Sequence, residues 1–130
     1  YDISDPSDIQ SVGWGGFGQT RSVQVKGDVA YIAGTSNFKV LDVSDPANPT
    51  VSLDLTGSGY KVRVFGDFLV KLSGGSSMQV YNIEDPSAPD LVYEFTTGQT
   101  MIDAIMFDGY LYVADYAGLQ TFLVGNTDEI

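Results

Sequence analysis

The chain has 130 residues and a formal net charge of −11, from 17 acidic against 6 basic residues. Nucleic acid and anionic membrane surfaces are therefore poor partners for the domain as a whole. Cysteine and histidine are both absent, which excludes disulfides, thiol nucleophiles, the usual zinc sites and Ser-His-Asp hydrolysis. We interpret the acidity as a source of solubility, with binding of divalent cations by clustered carboxylates as the alternative.

The composition is that of a folded domain, with 43% hydrophobic and 18% charged residues. No apolar run approaches the roughly 20 residues that a membrane-spanning helix needs. The 15 glycines and 5 prolines favour many short strands joined by turns.

An Asp-Pro motif recurs along the chain at a fixed spacing. It stands at Asp5-Pro6, Asp45-Pro46 and Asp85-Pro86, so that successive copies are 40 residues apart. A constant period in this range is typical of repeat architectures.

The predicted elements in chain order are all short strands. The tail of one strand lies within residues 1–6, and a further strand is predicted over residues 9–12. Three units follow, with strands over residues 22–25, 29–33, 38–43 and 51–55, then 61–64, 68–72, 78–83 and 91–95, then 103–106, 110–114 and 118–124. Hairpin signals separate the first two strands of each unit at Gly27-Asp28, Gly66-Asp67 and Asp108-Gly109. No helical period of useful length is present.

Four short strands per unit of about 40 residues predict an all-β fold, a β-propeller of four-stranded antiparallel blades, with about three blades' worth of sequence. A right-handed β-solenoid fits less well, because its coils are shorter and lack hairpin signals. We interpret the chain as a single partial propeller over residues 1–130. It divides into the end of a preceding blade (1–19), two blades (20–56 and 57–97) and an incomplete blade (98–130).

The repeated unit resembles the LVIVD-repeat propellers. The resemblance is carried by Gly27-Asp28-Val29-Ala30-Tyr31-Ile32-Ala33, by Val40-Leu41-Asp42-Val43-Ser44-Asp45-Pro46, and by Tyr110-Leu111-Tyr112-Val113-Ala114-Asp115. It implies a propeller fold and a surface or secreted protein, without one activity shared across the family. Two departures are Lys71, where the other units have Ile32 and Val113, and residues 124–128, which lack the Asp-Pro motif.

The partial ring needs completion, because propellers close with about four to eight blades. Two copies could form a six-bladed ring, with residues 9–12 of one copy completing the last blade of the other. Alternatively, the chain is a piece of a longer protein. Both ends carry the close of a third strand, which favours the longer protein.

Three aspartates and three basic residues are candidate sites. Asp5, Asp45 and Asp85 could form a ring of calcium ligands, although capping of the turn explains Asp in this slot. Lys61 and Arg63 lie on one face of a strand and could form an anion pocket, pair with acids such as Asp103, or simply be exposed to solvent. Lys71 is unusual, because its neighbours in register are apolar and an unpaired buried lysine is costly.

Two aromatic residues in a glycine-rich stretch form a further candidate site. Trp14 and Phe17 could be a stacking platform for a sugar or a peptide, or could fill the gap between blades. Tyr31, Tyr110 and Tyr112 are expected in the core.

We therefore expect a non-enzymatic, extracellular or cell-surface module for protein binding or structural assembly, without a cofactor, although calcium is possible. Its expected partner is a protein or further propeller blades, with neither nucleic acid nor membrane insertion. The alternative is a carbohydrate-binding or carbohydrate-active propeller, using acids and aromatics at the channel mouth. Two close carboxylates with raised pKa values would favour the enzyme.

Overall fold

The protein is all-β across the part of the chain that the structure, a computed structural model, describes: residues 7–8, 10–55 and 57–124. Eleven strands form three antiparallel sheets, and none of these residues is helical. No helix within the same ranges is long and apolar enough to span a lipid bilayer.

The three sheets follow one another along the chain. Sheet A contains β1 (Ser22–Lys26), β2 (Val29–Gly34), β3 (Asn37–Asp42) and β4 (Thr50–Asp54), in that spatial order. Sheet B contains β5 (Lys61–Phe65), β6 (Phe68–Leu72), β7 (Ser77–Asn82) and β8 (Asp90–Thr96), again in order. Sheet C has three strands, β9 (Met101–Phe107), β10 (Tyr110–Asp115) and β11 (Gly118–Leu123).

The first hairpin of every sheet turns at the predicted place. Gly27 and Gly66 have φ angles of 60° and 59°, and Asp108 takes the same left-handed position in sheet C with φ of 52°. Glycine has no Cβ penalty there, and aspartate is among the few other residues that adopt this conformation.

A backbone hydrogen bond ties the residue after each third strand to that hairpin. Val43 N–H donates to Asp28 O (2.8 Å), Ile83 N–H to Asp67 O (2.7 Å) and Val124 N–H to Gly109 O (2.9 Å). Sheet C therefore keeps the geometry of the unit although its sequence lacks the Asp-Pro motif at that point.

Sheet B lies in the middle, and the first strands of the three sheets are neighbours, β1 beside β5 and β5 beside β9. We call the side of a sheet that is turned to the following sheet its far face, and the opposite side its near face. The far face of sheet A packs on the near face of sheet B through buried Tyr31, Phe38, Val40, Val62, Leu69 and Ile83. The far face of sheet B packs on sheet C through Val70, Leu72, Met78, Met101, Leu111 and Val113.

A large apolar side chain that precedes each sheet along the chain packs on the near face of that sheet; Leu55 directly follows β4, and Phe95 lies within β8. Phe17 packs on Ala30, Ile32 and Leu41, which belong to the near face of sheet A. Leu55 joins the cluster between sheets A and B. Phe95 joins the cluster between sheets B and C, where its ring lies 4.7 Å from that of Phe122.

The predicted strands of the three units correspond to β1–β11, with ends shifted by two residues or fewer. Residues 10–12, predicted as part of a strand, are not in one, because no strand among the described residues pairs with them. Three other predictions concern residues outside the described part of the chain. These are Ile9, the strand tail with its Asp5-Pro6 turn in residues 1–6, and the loss of the Asp-Pro motif in residues 125–128. Tyr31 is buried, but Tyr110 is exposed; its expected place in the core was wrong, since nothing in the described chain covers that face of sheet C.

Candidate functional site

Lys61 and Arg63 both contact Asp103 of the next sheet. Arg63 donates two hydrogen bonds to the carboxylate, from Nε to Oδ1 and from Nη2 to Oδ2, each of 3.0 Å. Lys61 Nζ lies 3.5 Å from Oδ2. The hydrogen bonds from Arg63 lower the pKa of Asp103, and the same bonds raise the pKa of Arg63. The two cations are engaged in an inter-sheet ion pair, so their charge is not free for an anion.

Lys71 lies on the opposite side of sheet B from that pair. It is opposite Val62 in the β5–β6 register, whereas Arg63 is opposite Val70, so the two side chains point to different sheets. Lys71 is 7% exposed, with Nζ 4.7 Å from the centroid of the Phe38 ring. Burial lowers its pKa, and the charge of Glu94 opposes that shift. The structure therefore does not bring the three basic residues into one site.

A glycine connection between β4 and β5 passes closely over Lys71. A Cβ on Gly59 would lie 2.6 Å from Ala33 Cβ and 3.5 Å from Lys71 Cγ and Cδ. Such a contact is too short for any larger residue, so glycine is needed there for the chain to cross between sheets A and B. Lys71 is enclosed by protein and is poorly placed to meet a ligand.

Trp14 and Phe17 have different environments. Trp14 is 85% exposed, whereas Phe17 is partly buried on the near face of sheet A. Lys39 Nζ donates a hydrogen bond of 3.2 Å to Phe17 O, which holds this segment against the sheet. Phe17 is thus a packing residue, and of these two aromatic residues only Trp14 has an exposed ring.

The two Asp-Pro turns within the described ranges are closed by their own aspartates. Asp45 Oδ1 accepts from Ala47 N–H (3.0 Å) and Oδ2 from Asn48 Nδ2 (2.8 Å). Asp85 Oδ1 accepts from the N–H (3.2 Å) and the hydroxyl (2.9 Å) of Ser87. The hydrogen bond from the Asn48 side chain lowers the pKa of Asp45. No cluster of three acidic side chains suited to a metal ion occurs among the described residues.

Two further carboxyl groups have shifted pKa values. The hydroxyl of Ser44 lowers the pKa of Asp42, and the amide of Gln120 lowers that of Asp115. A general acid of a glycosidase needs the opposite shift, towards protonation at neutral pH.

The far face of sheet C is bare in the described structure. Its apolar side chains are exposed: Ile105, Phe107, Tyr110, Leu119 and Leu123. The register places Ile105 and Tyr112 where Arg63 and Val70 stand in sheet B, and where Gln24 and Tyr31 stand in sheet A. In sheets A and B that face forms an inter-sheet core, with Tyr31 and Val70 fully buried.

The outer edge of sheet C is also open. Third strands β3 and β7 pair with β4 and β8, but β11 pairs only with β10 among the described residues. Beside this edge, a cavity of 470 Å³ between sheets B and C is lined by apolar side chains that include Met78, Tyr93 and Phe122. A groove of 510 Å³ continues from Arg63 and Asp103 onto the bare face at Leu119. We call the bare face together with the β11 edge the free end of sheet C.

Sequence reasoning did not select the residues of this free end. The strands β9 and β10 are nearly continuously apolar, which indicates that both faces are covered. The apolar pattern is the same for a face that another sheet covers and for one that is exposed, so it does not identify the exposed face of sheet C. The absence of a fourth predicted strand after residue 124 was the available signal.

The comparisons with known proteins concern the fold. No curated protein matches the chain. The crystal structure of the computationally designed Ika4 protein superposes with a TM-score of 0.54, covering 91% of this chain and 100% of that one. The two sequences are 8% identical, so this likeness is one of fold alone.

The family comparison concerns sheet A and the segment that leads into it. The family model described as LVIVD repeat matches residues 17–57, a span that contains β1–β4 and the packing residue Phe17. This match confirms the resemblance seen in the sequence. Residues 17–57 of the protein are thus similar to an LVIVD repeat.

Proposed function

We propose that the three sheets are consecutive blades of a β-propeller, and that the chain is a non-enzymatic module that assembles with protein through the free end of sheet C. The observation that carries this proposal is the contrast between corresponding faces. The far faces of sheets A and B are buried, while the far face of sheet C exposes Ile105, Phe107 and Leu119.

The size of the apolar contribution supports docking at this face. Burying one large apolar side chain contributes about 1.5–3 kcal/mol. Leu119 is 66% exposed and Leu123 is 70% exposed, so a partner that covers them removes much apolar surface from water. Contiguous exposed apolar surface is typical of interaction sites.

The charge distribution supports an apolar partner surface. The chain carries a net charge of −11, yet the residues that form the bare face are uncharged. Asp103, at its inner border, is already paired with Arg63 and Lys61. A protein surface can therefore approach this face without leaving a new charge buried and unpaired. We place the module at the cell surface or outside the cell, as the resemblance implies.

The test is association of the chain measured by sedimentation at increasing concentration. The unmodified chain should show a mass above that of one copy, and Leu119→Lys should return it to one copy. Leu91→Lys is the matched control, because Leu91 is an exposed leucine on β8. A monomer at every concentration, or equal behaviour of the two variants, would contradict the proposal.

A second candidate function rests on Trp14, whose ring is 85% exposed. An open indole can stack on a sugar ring, as in a carbohydrate-binding propeller. Trp14 is the single tryptophan of the chain, so its fluorescence reports directly on this position. Titration with soluble oligosaccharides should shift the emission in the unmodified chain, and an unchanged spectrum would contradict this candidate.

A further inference from the structure

The open edge of β11 lacks the features that protect most edge strands. Natural proteins guard such edges with charged residues or proline. The outer strands of the other sheets carry acids, Asp54 on β4 and both Asp90 and Glu94 on β8. The sequence of β11, Gly118-Leu119-Gln120-Thr121-Phe122-Leu123, has no charged residue. In a chain with 17 acidic residues, this edge is suited to pairing with another strand.

The same chain carries a segment with the sequence character of a fourth strand, whose described residues 10–12 pair with no described strand. Ile9-Gln10-Ser11-Val12 follows Asp5-Pro6, as β4 follows Asp45-Pro46 and β8 follows Asp85-Pro86. Residues 10–12 are exposed and unpaired with any described strand. The four residues are uncharged, so pairing with β11 would bring no like charges together.

The chain after this segment runs along sheet A. Gly13 lies against the turn after β3, where a Cβ would be 2.4 Å from Pro46 O. Phe17 then packs on Ala30, Ile32 and Leu41 of the near face of sheet A. Residues 10–12 therefore come directly before the residues that border this face, on which no strand of another sheet packs among the described residues.

Resting on the proposed function, we infer that a second copy of this chain supplies Gln10–Val12 as the fourth strand of sheet C. The strand pairs antiparallel with β11, beside the apolar cavity of 470 Å³. The far face of sheet C then packs on the near face of sheet A of the second copy. The reciprocal contact closes the two sets of three sheets into one six-bladed ring.

The two faces that would meet are both apolar at their inner strands. Val23 and Val25 of β1 are each 58% exposed on the near face of sheet A. Ile105 and Phe107 of β9 are exposed on the far face of sheet C. At the corresponding position within the chain, Gln24 and Arg63 make polar contacts to the next sheet. Ile105 replaces those polar side chains where the next first strand would be that of the second copy.

Closure by two copies gives an assembly without an open edge. The contact between sheet C of one copy and sheet A of the other occurs twice, related by a two-fold axis, which is the commonest oligomer symmetry. Both β11 edges are paired, and no edge remains to recruit a third copy. The assembly therefore stops at two copies.

Pairs of engineered cysteines test the strand exchange directly, since the chain has no cysteine of its own. Ser11→Cys is combined in turn with Leu119→Cys, Thr121→Cys or Leu123→Cys, which samples the register along β11. Under mild oxidation, at least one pair should give a two-copy band on a non-reducing gel that disappears with reductant. The control is Ser11→Cys with Thr50→Cys, since Thr50 lies on the outer strand β4, and it should stay at the mass of one copy.

Each other outcome overturns the strand exchange. A cross-linked product with the mass of one copy shows that Gln10–Val12 pairs with β11 of its own chain. The absence of a cross-link with all three positions, or an equal cross-link with Thr50→Cys, excludes this strand as the occupant. If Leu119→Lys still abolishes association in that case, docking at the free end stands and only its occupant is wrong. If the unmodified chain also sediments as one copy, the proposed function fails as well.

Discussion

The interfaces between sheets A and B and between sheets B and C have the same geometry but different bonds. At the first, Ser22 Oγ accepts from Val62 N–H (3.0 Å) and Gln24 Oε1 accepts from Val64 N–H (3.1 Å). At the second, Arg63 forms its ion pair with Asp103. Each of these bonds joins residues that are 40 positions apart.

The two interfaces also have different apolar side chains at matching positions. The first contains the rings of Tyr31 and Phe38, with the Lys71 cation over Phe38. The second has Val70 and Met78 at the matching positions, and no cation. The repeat thus fixes which positions meet, while the chemistry at those positions is free to vary as long as the volume is filled. Four predictions test this difference between the two interfaces, in order of decreasing expected effect.

Phe38→Ala should cause the largest loss of stability, by about 3–5 kcal/mol, because it leaves a cavity under Lys71. Met78→Ala, at the matching position of the second interface, should cost about 2–5 kcal/mol. Both are measured by chemical denaturation at one protein concentration. Leu91→Ala, at an exposed leucine on β8 outside the free end of sheet C, is the control and should stay within about 0.5 kcal/mol. A loss for Phe38→Ala no larger than this control would contradict its place in the core.

Lys71→Met should stabilise the protein by about 1 kcal/mol at neutral pH, because it keeps the apolar stem and removes a buried charge. Burial lowers the native pKa of Lys71 below its ordinary value of 10.5, so the unfolded chain holds the proton more tightly. The stability of the unmodified chain should then rise as pH increases towards 10.5, while that of Lys71→Met should not show this rise. Thermal unfolding across this range measures the difference, and parallel profiles would contradict it.

Tyr31→Phe removes a hydrogen bond of 2.6 Å from the hydroxyl to Pro86 O and should cost about 1 kcal/mol. Burial, helped by the charge of Asp85, raises the pKa of Tyr31 from 10.0 to about 12. The unfolded chain therefore loses this proton at a lower pH than the folded chain does. The contribution of Tyr31 to the stability of the fold is complete below pH 10 and is lost as pH rises towards 12. When measured from pH 9 upwards, the free energy of unfolding should fall more steeply with pH for the unmodified chain than for Tyr31→Phe. Equal slopes would exclude this linkage.

The Arg63–Asp103 pair should give the smallest effect, a coupling of about 0.2–1 kcal/mol, because both side chains are partly exposed. A double-mutant cycle with Arg63→Met and Asp103→Asn measures it. Arg63 lowers the pKa of Asp103 below 3.8, so the coupling is present above that pH and is lost as pH falls through the lowered value. A coupling that is unchanged in strong acid would show that the contact is not electrostatic.

Local patterns carried most of the prediction of the fold. Alternation and hairpin signals placed β1–β11, because side-chain period and turn chemistry are local properties. The pairing of Lys61 and Arg63 with Asp103 was predicted as an alternative to an anion pocket, and the structure shows this pairing. Residues 10–12 were predicted as strand and are not in one, since a strand needs a paired neighbour and none of the described strands lies beside them.

The sequence of this protein determines the repeated unit, its turns and the identity of the residues in each strand, since all of these depend on neighbours within a few positions. It leaves open which faces are covered, because burial depends on elements that are distant along the chain. The tertiary structure separates Lys71 from Arg63 and leaves Ile105 bare. It also places Gly13 against the turn after β3 and Phe17 against the near face of sheet A.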